Sequence, residues 1–321
     1  MEFYLAPLEG ITGFVYRNAY EKYFGNADKY FAPFISPDKN ICINRKEKRD
    51  VLPENNHVPK LVPQIMTNNP KHFSDTAKEL SMMGYDEVNL NLGCPAATVV
   101  TKKKGAGFLF YPEELDEFFY NVFDNCRVKI SIKTRLGKES ADEFYQLIEI
   151  YNKYPFEEII IHPRIRNDFY NNKPNLEVFK DALRLSKNRV VYNGDIHSVK
   201  DYQQFVKIFP DVSYIMFGRG VLKNPALICS IKSFEGSGNV RNGKLDMQVV
   251  KKFMDKIQRD YYSNMRDERN VLFKLKELWL YMHESFENGD KYWKKIKKAK
   301  NFEEYDKAVS VLFGESRINT A

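Results

Sequence analysis

Cys94 is the residue whose position most strongly suggests chemistry. It lies between Gly93 and Pro95, in a turn-forming segment directly after an apolar run that ends near Asn91. Structural cysteines are usually buried within helices or strands, so a thiol in such a turn is a candidate functional group. No histidine stands near it in the sequence to form a nucleophile pair, although a residue distant in sequence could supply one. A thiol that donates a proton needs no such partner.

Polar or glycine-rich residues also end most of the other apolar runs. The last two of these ends indicate a phosphate site. One run ends at Asn193, Gly194 and Asp195, and the next ends at Gly218 and Arg219. Backbone N–H groups at such glycine-containing ends bind phosphate, and an arginine adds a bidentate, charge-assisted contact. The glycine between Asn193 and Asp195 permits a close approach of the backbone. We therefore predict that these two ends bind one phosphate group.

A planar heterocycle is the second ligand that the ends of the runs indicate. Gln64 offers a hydrogen-bond donor and acceptor, Lys133 offers a positive charge, and each ends an apolar run. His162 ends another run and can assist phosphate or substrate binding. A phosphate at the last two strands, with amide and ammonium groups toward the middle, is the pattern that FMN requires. A lysine near the pyrimidine end of the ring system would stabilise the reduced, anionic flavin.

The segment after Cys94 is basic and contains two glycines. Lys102, Lys103 and Lys104 precede Gly105 and Gly107. This composition indicates a mobile loop, hinged at these glycines, that closes over a charged substrate, with an ordinary exposed loop as the alternative. The two glycines do not form a dinucleotide-binding fingerprint, because position 110 is a phenylalanine.

These side chains need a scaffold that brings strand ends together, and the pattern of the chain predicts one. Short runs rich in Val, Ile, Tyr and Phe are typical of strands that are covered on both faces. The predicted strands are Phe3–Ala6, Lys29–Ala32, Lys60–Ile65, Glu87–Asn91, Lys129–Lys133, Glu158–His162, Arg189–Asn193 and Ser213–Gly218. Amphipathic helical stretches separate them, and only the segment Ser36–Pro59 is long, polar and irregular. Eight strands alternating with helices over about 230 residues predict a (β/α)8 TIM barrel, whose site lies at the carboxyl ends of the strands.

The last quarter of the chain has a different character. A flexible linker is predicted near Phe234–Asn239. Only helical patterns follow it, at Asp246–Tyr262, Glu268–Phe286, Lys291–Ala299 and Phe302–Phe313. We therefore predict a catalytic barrel domain at residues 1–235 and a small all-α helical bundle at residues 241–321.

The basic excess of the chain lies mainly in this helical region. The net charge is +7, and residues 241–321 carry 18 Lys and Arg against 13 Asp and Glu. One stripe of a predicted helix contains Lys291, Lys294, Lys295 and Lys298. Such a stripe predicts a polyanionic partner, with a solvated basic face as the alternative.

Length and composition exclude several classes of protein. The chain has 321 residues, 43% hydrophobic and 29% charged, which is ordinary globular composition and neither collagenous nor disordered. We expect no membrane span, because no apolar run approaches about 18 residues. We expect no secretory signal, because the opening residues do not combine a basic segment with a following long apolar run. The four cysteines are too scattered for a zinc site or a disulfide framework, which predicts no metal and a reducing, cytoplasmic location.

Taken in order, the motifs resemble those of the tRNA-dihydrouridine synthases. The resemblance is carried by Ala6–Thr12, Asn91–Pro95, Lys104–Gly107, Lys133–Gly137, His162–Arg164, Asn193–Asp195 and Gly218–Gly220. It extends over the whole chain, because that family also follows its barrel with a helical RNA-binding domain. Leu8 stands where methionine is frequent, and Pro163 stands where glycine is usual, but neither departure removes a reactive group.

The resemblance implies an FMN enzyme that reduces the C5=C6 bond of specific uridines in tRNA with NADPH as electron source. Hydride from the reduced flavin would add to C6, Cys94 would protonate C5 as general acid, and Asn91 would orient the uracil edge. FMN would be held by Ala6, Pro7, Leu8, Gln64, Lys133, His162, Asn193, Gly194, Asp195, Gly218 and Arg219. Further substrate contacts are expected from Lys104, Arg135, Arg164, Lys291, Lys294, Lys295 and Lys298. The target base would have to leave its stack in the folded tRNA, and we expect the protein to be a monomer.

Two other functions stay open at this point. One is a flavin-dependent barrel enzyme that acts on a free pyrimidine or another small enone, for which a basic helical domain would be unnecessary. The other is a non-catalytic RNA-binding protein with a relict barrel, which the many intact strand-end groups disfavour. Flavin absorbance of the purified protein would exclude the second, and activity on free uridine but not on tRNA would favour the first.

Overall fold

A closed barrel of eight parallel strands organises the computed structural model, which describes residues 1–237, 244–265 and 267–319. The strands pair in chain order, and β8 returns to β1. Their bounds are β1 (Glu2–Leu5), β2 (Lys29–Ile35), β3 (Leu61–Ile65), β4 (Glu87–Leu92), β5 (Lys129–Gly137), β6 (Ile159–Ile165), β7 (Val190–Tyr192) and β8 (Tyr214–Phe217). The predicted (β/α)8 barrel is therefore confirmed, and all strands direct their carboxyl ends to one mouth.

Helices separate the strands and make up most of the remainder of the chain. Up to β8 they are α1 (Phe14–Tyr23), α2 (Arg45–Val51), α3 (Pro70–Met82), α4 (Ala97–Val100), α5 (Pro112–Asn125), α6 (Glu143–Tyr151), α7 (Leu176–Leu185) and α8 (Val199–Ile208). After β8 they are α9 (Arg219–Lys223), α10 (Leu227–Ser237), α11 (Met247–Asn264), α12 (Glu268–Met282), α13 (Gly289–Lys298) and α14 (Phe302–Glu315). The helical C-terminal region predicted from the sequence is thus present.

The chain divides into two compact units. The first consists of Met1–Pro7, Asp28–Asp195 and Val206–Phe217, and it contains all eight strands. The second consists of Leu8–Ala27, Ile196–Phe205 and the described residues from Gly218 onward. The domain limits 1–235 and 241–321 stay predictions. The linker expected at residues 234–239 begins within α10, which continues through residue 237, and residues 238 and 239 lie outside the described part of the chain.

The amino-terminal end of the barrel, opposite the mouth, contains a buried layer of compensated charges. Lys29 Nζ lies 2.9 Å from a carboxylate oxygen of Glu158 and 3.1 Å from one of Glu87. The hydroxyl of Tyr4 donates to Glu158 over 3.0 Å. The two carboxylates and the lysine come from β2, β4 and the residue before β6, as expected for a layer built from alternate strands. Pairing offsets the free-energy cost of burying these charges, so ion pairs fill the barrel interior at this end.

Strands β5 and β6 extend further toward the mouth than the sequence predicts. Because charged residues interrupt their apolar pattern, the predicted strands stop at Lys133 and His162, whereas the observed strands continue through Gly137 and Ile165. The extension has a functional consequence, since Arg135 then lies within a strand and not in a loop.

The segment Ser36–Pro59 is more regular than predicted, because it contains the helix α2. The Asn44 side chain accepts hydrogen bonds from the backbone of Lys46 and Glu47, and the Glu47 carboxylate accepts one from the Asn44 backbone. This reciprocal arrangement is a capping box, and the spacing of Asn44 and Glu47 is its sequence signature.

Aromatic side chains pack α1 against α11 in the second unit. The ring of Phe253 lies with its centre 5.8 Å from that of Tyr16 and 5.2 Å from that of Phe24. Lys274 Nζ on α12 donates to the carbonyl of Gly10 over 2.6 Å. These contacts show why α1, although it follows β1 in the chain, belongs to the helical unit.

Candidate active site

The register of the barrel strands brings several of the predicted site residues side by side near the mouth. Asn91 on β4 is paired with Lys133 on β5, and Arg135 on β5 is paired with His162 on β6. On the other side of β4, Gln64 of β3 is the register partner of residue 89. Strands β3 to β6 therefore present an amide, an ammonium, a guanidinium and an imidazole in one continuous arc.

Asn91 fixes the turn that carries Cys94. Its Oδ1 accepts hydrogen bonds from the backbone amides of Gly93 at 3.0 Å and Cys94 at 2.9 Å. Its Nδ2 donates to Oε1 of Gln64 over 2.7 Å, and Gln64 Nε2 in turn donates to Oδ1 of Asn89 over 2.8 Å. Asn91 is only 8% exposed, so this network is part of the barrel interior. Contacts of Asn91 with uracil and of Gln64 with FMN stay predictions.

The glycines after Cys94 hold its turn from the other side. The backbone amide of Ala106 donates to the carbonyl of Cys94 over 3.1 Å. Gly105 has a φ of +55°, and a Cβ there would lie 2.9 Å from the Cys94 carbonyl oxygen. Both Gly105 and Gly107 are buried, and close packing requires glycine at both positions. A hinge at these glycines that closes over a substrate stays a prediction. Lys104, the predicted substrate contact beside them, is half-buried, and burial lowers its pKa.

Lys133 carries a positive charge that the described residues leave without a partner. Its side-chain ammonium forms no hydrogen bond and no ion pair within the described part of the chain. Burial is the main cause that lowers the pKa of Lys133 to about 7, and the nearby Arg135 guanidinium lowers it further. The interaction with Cys94 raises this pKa. An ammonium group in this state is stabilised by any anionic or electron-rich ligand that binds beside it.

Arg135 on β5 connects its own strand to β6 and to the turn that contains Cys94. Its Nε donates to the carbonyl of Gly93 and its Nη1 to the carbonyl of Ile165, each over 2.9 Å. The side chain is almost completely buried. The structure thus gives Arg135 a positioning role that the sequence did not indicate, and its contact with substrate stays a prediction.

The buried Arg164 links His162, which is also buried, to the partly exposed Asp195. Its Nη1 lies 2.9 Å from His162 Nε2 and 3.1 Å from Asp195 Oδ1, and its Nη2 donates to Asp195 Oδ2. Burial, together with the surrounding cations, holds the pKa of His162 well below its usual range. Because a guanidinium only donates, Nε2 of the neutral imidazole must accept and the proton lies on Nδ1. The charges of Arg164 and Asp195 neutralise each other. Contacts of Arg164 with substrate and of Asp195 with the cofactor stay predictions.

The remaining predicted residues of the first unit lie around the ends of β1 and β7. The Asn193 side chain donates to the carbonyl of Met216 over 2.8 Å. A Cβ on Gly194 would lie 2.0 Å from the hydroxyl oxygen of Tyr192, so only glycine fits there. Ala6 is buried at the end of β1, where its amide donates to the Phe217 carbonyl, and Pro7 follows it.

The other predicted residues lie in the second unit. The backbone amide of Leu8 donates to the Thr12 hydroxyl over 2.8 Å, Gly218 precedes α9, and Arg219 begins that helix. A single phosphate site that joins Gly218 and Arg219 to the β7 end stays a prediction. The predicted lysine stripe lies on α13, and all its members are exposed: Lys291, Lys294, Lys295 and Lys298.

Neither a metal centre nor a membrane span is found in the part of the chain that the structure describes. Among these residues, no group of three or more His, Cys, Asp or Glu side chains is placed to hold a metal ion. No helix within the same ranges is long and apolar enough to span a membrane.

A family model described as dihydrouridine synthase matches residues 4–313, which is nearly the whole chain. The chain belongs to the dihydrouridine synthase family. The match runs through both the barrel and the helical region, so it does not rest on the TIM barrel alone.

Individual curated proteins that resemble this chain bear the same family name, at sequence identities of 26–27%. A probable tRNA-dihydrouridine synthase of Staphylococcus aureus strain Mu50 is 27% identical over 233 residues, which is 70% of this chain and 69% of that protein. Probable tRNA-dihydrouridine synthase 2 of Bacillus subtilis strain 168 is 26% identical over 231 residues, 70% of each chain. Among solved structures, morphinone reductase aligns with a TM-score of 0.51 and 12% identity over 72% of this chain and 85% of its own, a likeness of fold.

Two features of this dihydrouridine synthase were missed from its sequence. The first is the Asn91 contact with the Cys94 turn, which the spacing could have indicated, because an asparagine often accepts from backbone amides two and three residues ahead. The second is a series of buried side-chain hydrogen bonds deeper in the barrel. In it, Asn89 Nδ2 donates to Ser131 Oγ, and Ser131 Oγ donates to Glu87. Nothing local in the sequence pairs Ser131 with residues more than forty positions away.

Proposed function

We propose that this dihydrouridine synthase reduces uridines of tRNA to 5,6-dihydrouridine, with FMN as bound cofactor and NADPH as electron source. The observation that carries the proposal is the arrangement at the barrel mouth. There, Asn91 fixes the turn of a thiol residue close to Lys133, an ammonium with no ion pair among the described residues. Membership of the family and the names of the two relatives support tRNA as the substrate.

The residues at the mouth fit a flavin. Lys133 offers a positive charge to the electron-rich pyrimidine part of the ring system, and the Nδ1–H of neutral His162 offers a donor with no acceptor among the described residues. At the end of β7, the absence of a side chain on Gly194 accommodates the Tyr192 hydroxyl, and we assign its partly exposed backbone to the phosphate group. We assign the remaining cofactor contacts to Ala6, Pro7, Leu8, Gln64, Asn193, Asp195, Gly218 and Arg219. When bound, FMN supplies the hydride that adds to C6 of the uracil ring.

Cys94 provides the proton that completes the reduction. As C6 receives the hydride, negative charge develops at C5, and the Cys94 thiol forms the new C–H bond there by giving up its S–H proton. The thiolate that remains is stabilised by the positive charge of Lys133, with which it interacts electrostatically. A proton from water then restores the thiol. Asn91 and Arg135 act on this step by holding the backbone of the Gly93–Cys94 turn in place.

The polyanionic substrate is bound by basic groups outside the mouth. We assign contacts with tRNA phosphates to the exposed lysine stripe of α13 and to the half-buried Lys104 nearer the site. These contacts offset the cost, a few kcal/mol, of extruding the target uridine from its stack. Direct substrate contacts of the buried Arg135 and Arg164 stay predictions. A cytoplasmic location and a monomeric state stay predictions.

The decisive experiment combines the purified protein with NADPH and tRNA from cells that lack its gene. The expected result is a flavin spectrum, followed by the mass gain of two hydrogens at particular uridines. A colourless protein, or an unchanged tRNA mass, would overturn the proposal. Reduction of free uridine without reduction of tRNA would indicate a small-molecule enzyme.

A further inference from the structure

Two exposed phenylalanines lie at the rim of the barrel mouth, and each has a cation over its ring. Phe110 is 46% exposed, and Lys138 Nζ lies 3.9 Å from its ring centre. Phe169 is 42% exposed, and the guanidinium carbon of Arg166 lies 5.1 Å from its ring centre. Single exposed hydrophobic residues are common on protein surfaces and need no explanation. Here, however, two exposed rings lie at the same rim and each contacts a cation, so together they form a candidate binding surface.

Hydrogen bonds connect these two pairs with each other and with the reactive turn. Arg166 Nε donates to the carbonyl of Pro95, the residue after Cys94, over 3.3 Å. Next to Arg166, the backbone amide of Asn167 donates to the carbonyl of Lys138 over 3.3 Å. We call Phe110, Lys138, Arg166 and Phe169 the aromatic rim. Through Pro95, the aromatic rim is directly continuous with the Cys94 turn.

The backbone at Phe169 adopts a left-handed conformation that is strained for a bulky residue. Its φ is +49°, a region that bulky L-residues rarely adopt. The adjoining turn is held by the Asp168 carboxylate, which accepts a hydrogen bond from the amide of Ile165 over 3.0 Å. Strain of this kind is concentrated at ligand-binding and catalytic sites, where the surrounding structure maintains it.

The chemistry of the aromatic rim matches unpaired nucleotides. Proteins bind single-stranded nucleic acid by stacking bases on aromatic rings, while neighbouring cations contact the phosphates. Extruding a uridine from a stacked loop also removes a stacking partner from the nucleotides on either side of it. A base that flanks the extruded uridine therefore needs a new stacking surface close to the reacting thiol.

We infer that the aromatic rim is a stacking subsite for the unpaired nucleotides that flank the target uridine in tRNA. The inference rests on the proposed function and adds to it a surface that recognises the neighbours of the reduced base. Phe110 and Phe169 supply the stacking faces, and Lys138 and Arg166 supply positive charge beside them. Lys138 also pairs with Glu139 over 3.1 Å, so the rings and not net charge carry most of the recognition.

The test compares tRNA binding by the flavin-loaded protein and its Phe110→Ala, Phe169→Ala and doubly substituted variants. Loss of one stacked base should weaken Kd by about fivefold to a hundredfold, and the double variant should bind more weakly than either. The rate of flavin reduction by NADPH should not change. The slope of log Kd against log salt should also stay the same, because no phosphate contact is removed.

Matched variants separate stacking from general effects. Tyr120→Ala removes an aromatic ring that is 69% exposed on α5 and has no cation over it within the described residues, and it should bind tRNA normally. Phe110→Trp and Phe169→Trp should restore binding, since a larger ring still stacks. Melting temperature and flavin content identify any variant that fails to fold.

The possible results are distinguishable. Wild-type Kd in the double alanine variant, or equal losses in Tyr120→Ala, would overturn the inference while leaving the proposed function intact. A salt slope that falls together with affinity would show that charge and not stacking is involved, which also overturns it. If the wild-type protein forms no dihydrouridine, the proposed function itself fails.

Discussion

The backbone amide of Cys94 donates a 2.9 Å hydrogen bond to the side-chain oxygen of Asn91, three residues earlier in the chain. Asn91 is in turn held by Gln64 from the neighbouring strand, and Gln64 is held by Asn89. The position of the thiol is therefore set by hydrogen bonds inside the barrel and not by the turn alone. Proton transfer depends steeply on such placement, because small displacements of reacting groups have large effects on rate.

Asn91→Ala should misplace the thiol and remove one of the hydrogen bonds that hold Gln64. The substitution leaves the amides of Gly93 and Cys94 without their acceptor, at a cost of about 1–3 kcal/mol for each group that stays buried. We expect tRNA reduction to slow by about 10- to 100-fold, a loss of about 1.4–2.7 kcal/mol in barrier lowering. The loss in rate should be measured on protein saturated with FMN, and the rate of Cys94 alkylation, followed by peptide mass, should change. Asn91→Asp keeps an acceptor oxygen and should retain more activity; equal losses in both variants would contradict this role.

Cys94→Ala should separate the two half-reactions. Flavin reduction by NADPH needs no proton donor at the uracil, so its rate should stay close to that of the wild type. Oxidation of the reduced enzyme by tRNA should slow by about 10²- to 10⁴-fold, because no acid quenches the charge at C5. Stopped-flow absorbance measures both steps in one preparation.

Cys126→Ala is the control for this experiment, since burial raises the pKa of that thiol and it lies outside the site. Serine at position 94 should rescue poorly, because a hydroxyl is a much weaker acid than a thiol of pKa about 8.5. Rapid oxidation of the alanine variant by tRNA would assign the proton to another group.

Because of Lys133, the free energy of unfolding of the flavin-free protein should increase as the pH rises above neutral. Its pKa is about 7 in the folded protein, well below its ordinary value, so between these two pH values the unfolded chain binds more protons. Stability relative to Lys133→Met should therefore rise as pH increases above about 7 and level off near pH 10.4. Urea unfolding of both proteins at several pH values measures the difference. A difference that stays constant with pH would mean that the ammonium is well solvated.

Arg219→Ala should reduce retention of FMN. A charge-assisted contact with the cofactor phosphate is worth about 1.5–3 kcal/mol, so Kd should rise by about 10- to 150-fold. The variant should stay folded and purify with little flavin. Arg184→Ala removes an exposed guanidinium from α7 and serves as the control. Equal FMN affinity in both variants would remove Arg219 from the phosphate site.

The lysine stripe of α13 should bind phosphates of the tRNA. Replacing its four lysines by glutamine should weaken tRNA binding and lower the log–log salt slope by about 0.9 for each duplex phosphate that is no longer neutralised. A control variant removes the same charge from other exposed positions of the helical region, namely Lys251, Lys252, Lys300 and Lys307. Identical salt slopes in the two variants would mean that the stripe is only a solvated face.

The order of the barrel elements and the identity of the reactive groups follow from the sequence by itself. A strand buried on both faces is predominantly apolar, and this pattern made the eight strands recognisable before their pairing was known. A polar residue at the end of such a strand has few structural uses, so Gln64, Lys133 and His162 stand out locally. Charged residues inside the barrel obscured the same signal, which is why the extensions of β5 and β6 were missed.

Only the tertiary structure decided which of these groups are available to a ligand. Arg164 and Asp195 both look like binding residues in the sequence, yet adjacent strands bring them together into an ion pair. Arg135 is occupied by carbonyls of two other segments, whereas Lys133, two residues earlier, has no ion-pair partner among the described residues. The physical reason is that register and a bulge after Arg135 set the distances across strands, and local spacing does not encode either.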